Sequence, residues 1–168
     1  MRGIVRPLFY NQKKSKLERN AFLPPPKRGR NDVSLYRRRY ASDDICKQCA
    51  SNLRLADNTY SGLAILRARH ILELNQIPDL GTTARVDATP LDDQDHHIID
   101  RVACRDEPGK PFHADLIYEY IVHEGQPNTP LRRYAERLCT VACYFEDPYP
   151  TERGWKGPAL EKNDFIPQ

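Results

Sequence analysis

Tyr60-Ser61-Gly62-Leu63-Ala64-Ile65-Leu66-Arg67-Ala68-Arg69-His70-Ile71-Leu72-Glu73-Leu74 changes its period halfway. Gly62 to Leu66 is a continuous apolar run of the length that suits a buried strand. From Leu66 to Leu74 the apolar residues recur at helical spacing. The stretch therefore reads as a strand running into a short helix, with Pro78 closing it. A strand and a helix in one short segment point to a mixed fold.

Downstream, Thr129-Pro130 is a helix start with proline at the first helical position. Leu131, Tyr134, Ala135, Leu138, Val141 and Ala142 then recur three and four apart, which predicts a helix over about 130–143. Upstream, Ser42 supplies a capping hydroxyl, and Asp43 and Asp44 follow where the helix dipole favours acids. Ile45, Cys46, Cys49, Ala50 and Leu53 continue the stripe, so a helix over about 43–54 is expected. Strands are expected at 5–10, 32–36, 83–88, 97–103 and 112–122. A Pro108-Gly109 turn signal joins the last two into an expected hairpin. The fold class expected is α+β: a small, mostly antiparallel sheet with two to three packed helices.

Of the 168 residues, 39% are apolar and 29% charged, within the range of globular domains. No stretch approaches the roughly 18–20 apolar residues a membrane helix needs, and no apolar signal region opens the chain. The expectation is a soluble, cytoplasmic protein with no membrane contact. The net charge of +3 conceals an asymmetry. Residues 1–40 hold twelve Lys and Arg against Glu18 and Asp32, a net of +10, whereas the remainder carries −7. Charge and prolines together divide the chain into a basic arm with edge strands (1–40), an α+β core (41–145) and an extended Pro-rich tail (146–168). The tail is expected to act as an extended ligand for a larger assembly rather than as core.

Three cationic clusters lie in the arm: Lys13, Lys14, Lys16 and Arg19; Lys27, Arg28 and Arg30; Arg37, Arg38 and Arg39. Phe9, Tyr10, Phe22, Tyr36 and Tyr40 are interleaved with them. Cations track phosphates and rings stack on unpaired bases, so this composition suits nucleic acid, single strands especially. An acidic protein surface, or the chain's own acidic body, would satisfy the same charges. Three consecutive arginines on a strand must point to both faces, so one of them is expected to reach inward to a carboxylate.

The remaining chemistry is sparse. Cys46-x-x-Cys49 and Cys139-x-x-x-Cys143 have zinc-like spacing, but both pairs fall on predicted helical stripes, where thiols pack as small hydrophobes. His96-His97 among Asp92, Asp93, Asp95 and Asp100 could ligate a divalent metal or form an ordinary acidic turn. His113 and His123 share a strand face but are about 33 Å apart on an ideal strand, so they cannot serve one site unless the strand bends or breaks. No P-loop, dinucleotide fingerprint or nucleophile elbow occurs. No catalytic residue, metal or cofactor is assigned.

Phe22-Leu23-Pro24, Asp32-Val33-Ser34-Leu35, Gly62-Leu63-Ala64 and Pro111-Phe112-His113-Ala114-Asp115-Leu116 together resemble a loose group of small bacterial proteins. These carry F-x-P, S-V/L-x-R and P-x-H-A-x-I segments, and no function is assigned to the group. The resemblance covers about residues 20–120 and implies a prokaryotic or phage source and an accessory role. The long basic loop and the tail depart from it. The favoured functional reading is an accessory binding protein that meets nucleic acid or an acidic partner through the arm. The alternative is an enzyme. The opening strand and the Ser34 strand resemble ADP-ribosyltransferase-like folds, and that resemblance would put Arg6, Ser34 and His113 around a nucleotide pocket.

Overall fold

The computed structural model describes residues 1–25, 31–52, 58–98, 109–120 and 128–160. Three small antiparallel sheets and three α-helices make an α+β fold, as expected from the sequence. The first sheet has the order β1 (Arg2–Arg6), β5 (Thr59–Ile65), β8 (Cys143–Glu146). The second is a hairpin of β2 (Tyr10–Asn11) and β3 (Lys16–Leu17). The third has the order β4 (Asp32–Tyr36), β7 (His113–Tyr118), β6 (Ala84–Ala88). The helices are α1 (Asp43–Ser51), α2 (Ala68–Leu74) and α3 (Thr129–Val141).

The stretch read first does change from strand to helix. β5 is the middle strand of its sheet, and its last six residues are buried, which explains the unbroken apolar run. Gly62 is required by close approach. A Cβ there would lie 2.2 Å from the backbone oxygen of Phe145 on β8. α1 begins as its sequence says: the Ser42 hydroxyl accepts from the Ile45 amide at 3.2 Å. α3 turns Leu131, Tyr134, Ala135 and Leu138 inward. Tyr134 meets Tyr118 of β7 edge-on, with ring centroids 5.6 Å apart. Both hydroxyls are bonded in the interior, Tyr118 to the Phe22 carbonyl at 2.5 Å and Tyr134 to the Ile71 carbonyl at 3.1 Å.

Several expectations are corrected. The divisions at residues 40 and 146 do not divide the core. Ile4, Val5, Phe9, Leu17, Ala21, Phe22, Val33 and Leu35 all sit in the larger apolar cluster with α3. The described residues of the first forty therefore contribute to the core; Arg2, Arg6 and Lys16 ride on strands, and Lys13, Lys14, Arg19, Arg38 and Arg39 on 3₁₀ turns between them. The described part of the tail, up to residue 160, returns as well. Asp147 is buried, and Leu160 is fully buried in a second cluster with Met1, Tyr36, Cys46, Tyr60, Leu63 and Phe112. Cys143 is not helical but opens β8, because α3 ends at Val141. The expected hairpin between 97–103 and 112–122 is not the pairing of β7, since β4 and β6 occupy both its edges. Residues 99–108 lie outside those described.

Among the described residues, no helix is long and apolar enough to cross a membrane.

Candidate functional site

The hairpin β2–β3 is closed by a 3₁₀ turn at Gln12–Lys14. The Asn11 side chain accepts from the Lys14 amide at 3.2 Å and donates to Glu18 at 3.1 Å, which pins the turn. Lys13, Lys14 and Lys16 are exposed on it, and none has an ion-pair partner among the described residues. β3 and the following Arg19–Phe22 turn pack against α3. Arg19 reaches across to Glu136 of α3 at 2.6 Å.

The hairpin thereby lies beside the outer face of α3. Burying Leu131, Tyr134, Ala135 and Leu138 leaves Arg132, Arg133, Glu136, Arg137 and Thr140 outside. Arg133 donates to the Asp79 carbonyl at 3.5 Å; Arg132 and Arg137 meet no carboxylate among the described residues. Lys16 also comes near Cys139 on α3. Burial, followed by the charges of Glu18 and Glu136, pushes that thiol up to about 12, and Lys16 acts in the opposite sense. Exposed cations thus stand on two neighbouring elements that are far apart in sequence. The three helix arginines were missed because the charge argument stopped at residue 40. The apolar stripe of α3 already held the signal, since whatever lies off the stripe must face out.

The other sequence candidates scatter. Arg37 donates to the Pro111 carbonyl at 2.5 Å and covers the Tyr40 ring at 4.4 Å from its centroid. Arg38 pairs with Asp43 at 3.3 Å, and Arg39 is exposed. The arginines lie past the end of β4, with Arg38–Tyr40 a 3₁₀ turn rather than a strand. The expected inward carboxylate contact is thus replaced by a carbonyl contact and a half-exposed ion pair. Lys27, Arg28 and Arg30 lie outside the described residues.

Arg6, Ser34 and His113 have separate partners. Arg6 binds Glu146 at 3.0 Å and lies over the Tyr10 ring at 5.0 Å, on the edge of the first sheet. Ser34, on β4, is paired with Asp115, and its carbonyl accepts from Arg2 at 2.7 Å. His113 is buried on β7, two register positions away.

Among the described residues, His113 sits in a polar cluster with Thr89 and Asp115. Nδ1 lies 2.8 Å from the Thr89 carbonyl and 3.0 Å from the Thr89 hydroxyl. The Thr89 hydroxyl donates to Asp115 at 2.8 Å. A carbonyl can only accept, so Nδ1 carries the proton and the neutral ring keeps its lone pair on Nε2. Nε2 is 3.9 Å from Asp115, beyond hydrogen-bond range. The hydroxyl proton therefore goes to the carboxylate and not to the imidazole, the reverse of an activated nucleophile. The cluster ties the loop at Thr89 to β7.

Burial holds the His113 pKa below its ordinary value. Asp115 and the Thr89 carbonyl oppose the shift, while His97 and Lys110 reinforce it. Burial depresses His70 as well. A depressed histidine is neutral in the fold and binds its proton more readily once unfolded. Its stabilisation is complete above about pH 6.5 and is lost as pH falls toward the depressed value, at up to about 1.4 kcal/mol per unit per group. Urea denaturation between pH 7 and pH 5 should show stability falling. His113→Asn, which keeps a donor toward Thr89, should show a shallower fall; an unchanged slope would contradict this assignment.

The acidic turn satisfies itself. Asp92 accepts from the amides of Gln94 and His96, and hydrogen bonding from His96 holds its carboxyl below the usual range. Asp95 pairs with Lys110 at 2.5 Å. Among the described residues, no group of three or more His, Cys, Asp or Glu is arranged to hold a metal ion. The described cysteines, Cys46, Cys49, Cys139 and Cys143, are free thiols, and burial pushes Cys46 up to about 12. A cleft of about 360 Å³ between Asn75 and Tyr120 carries Glu119, whose carboxylate accepts from Thr83.

No protein family matches this chain, and neither a curated protein nor a solved structure matches it.

Proposed function

We propose that the protein is an accessory nucleic-acid-binding module. It would hold the phosphate backbone on the face shared by the β2–β3 hairpin and α3. The observation that carries this reading is the set of Lys13, Lys14, Lys16, Arg132 and Arg137, all exposed and without a carboxylate partner among the described residues. Cations that are not needed to balance the protein's own charge are free to replace the counterions of a polyanion. Rigid mounting matters too. A lysine on a pinned turn and an arginine on a packed helix lose less freedom on binding than the same residues on a loose arm.

The test is the salt dependence of binding. Lys13→Gln, Lys14→Gln and Lys16→Gln combined should weaken binding to all sequences alike and flatten the slope of log K against log salt by about 2–3 units. The buried core beneath is untouched, so the melting temperature should not move. Sequence-selective loss, or no loss, would count against the proposal.

A further inference from the structure

We infer that this basic face selects double-stranded over single-stranded nucleic acid, an inference that rests on the nucleic-acid reading above. Sequence-tolerant binding of single strands depends on rings that stack with unpaired bases, each worth about 1–3 kcal/mol. The five rings that alternate with the N-terminal cations are spent elsewhere. Phe9 and Phe22 lie in the larger cluster at 5% and 0% exposure. Tyr36 packs against Phe112 at 5.8 Å. Tyr10 stacks on Tyr144 at 4.3 Å and has Arg6 over it. Tyr40 is exposed, but Arg37 covers one of its faces. The outward cations there include Lys13, Lys14, Lys16, Arg19, Arg132 and Arg137, with the exposed Glu136 paired to Arg19, and there is no exposed ring among the described residues of either element.

A face with cations and no stacking platform gains only from phosphates. A duplex presents one charge per about 1.7 Å of axis, and each contact releases more counterion than a single strand does, about 0.9 against 0.7. α3 adds geometry. Its thirteen residues form a rod of about 20 Å, with Arg132 and Arg137 on the two flanks of its exposed surface. Cations at fixed separation suit a stiff backbone better than a chain that must first be ordered.

The experiment is a fluorescence-anisotropy titration of the full chain with a mixed-sequence duplex of about 20 bp and with each of its single strands, at about 50 mM salt. Duplex DNA, and duplex RNA as a second arm, should bind about tenfold or more tighter than the strands. Tyr40→Ala should leave the duplex affinity unchanged. Single strands binding as tightly as duplex, or a loss of about fivefold or more in Tyr40→Ala, would overturn the inference while leaving the polyanion reading standing. Binding to neither form at low salt, with an acidic polypeptide bound instead, would overturn the nucleic-acid reading itself.

Discussion

Lys47→Ala should lower the unfolding free energy by about 3–5 kcal/mol, because it strands a buried carboxylate. Lys47 sits on the inner side of α1 at 2% exposure. Its Nζ lies 2.7 Å from Asp147 and donates to the Tyr149 carbonyl at 2.7 Å. Asp147 is anchored in turn: its amide donates to the Ser61 carbonyl and its other carboxylate oxygen accepts from the Tyr149 amide. Tyr60 lies alongside, and burial followed by the Asp147 charge pushes its hydroxyl pKa upward. Removing the ammonium leaves a fully buried carboxylate with no second cation paired to it among the described residues. Lys47→Met with Asp147→Leu should recover most of the loss, because an apolar pair of similar volume avoids the desolvation penalty. Urea denaturation of the two variants checks both statements. A loss under about 1 kcal/mol in Lys47→Ala would mean that the pair is solvated, as surface pairs are.

Leu160→Ala should cost about 2–5 kcal/mol, the range for deleting a buried leucine side chain. A ligand-like tail would give less than about 0.5 kcal/mol at the same position. The chain after β8 is held at successive points. Tyr149 is gripped by Lys47, and the Trp155 amide donates to Asp44 of α1 at 2.6 Å. The Trp155 indole then donates to the Pro158 carbonyl at 2.8 Å. Leu160 ends this path at 0% exposure against the second cluster. Removal of residues 148–168 should therefore give a product without a cooperative melt. A folded, cooperative truncation would restore the reading of the tail as a dispensable ligand.

Local chemistry was legible where the responsible residues are neighbours in sequence. The Ser42 cap, the Pro130 start and the period of α3 are short-range effects, and all three are in the structure. The run from Gly62 to Ile65 announced a strand buried on both faces. β8 was not legible, since Val141, Ala142, Cys143 and Tyr144 continue an apolar run without a breaker. What ends α3 is the ladder that Cys143–Glu146 forms with β5, a partner about eighty residues away.

The candidate site divides in the same way. Composition identified Lys13, Lys14 and Lys16, because a charge surplus is a property of the sequence alone. It could not say which rings would remain exposed, and it placed stacking where Phe9, Phe22 and Tyr36 are in fact core. Nor could it join the hairpin to Arg132 and Arg137, which α3 carries more than a hundred residues downstream. By itself the sequence determined the α+β class, the helix starts and the excess of cations, each set by residues within one or two turns of one another. Only the tertiary structure decided which charges are free, which aromatics are spent and that Asp147 and Leu160 of the tail are buried. Those outcomes depend on burial, and burial is a property of the packed chain rather than of any segment of it.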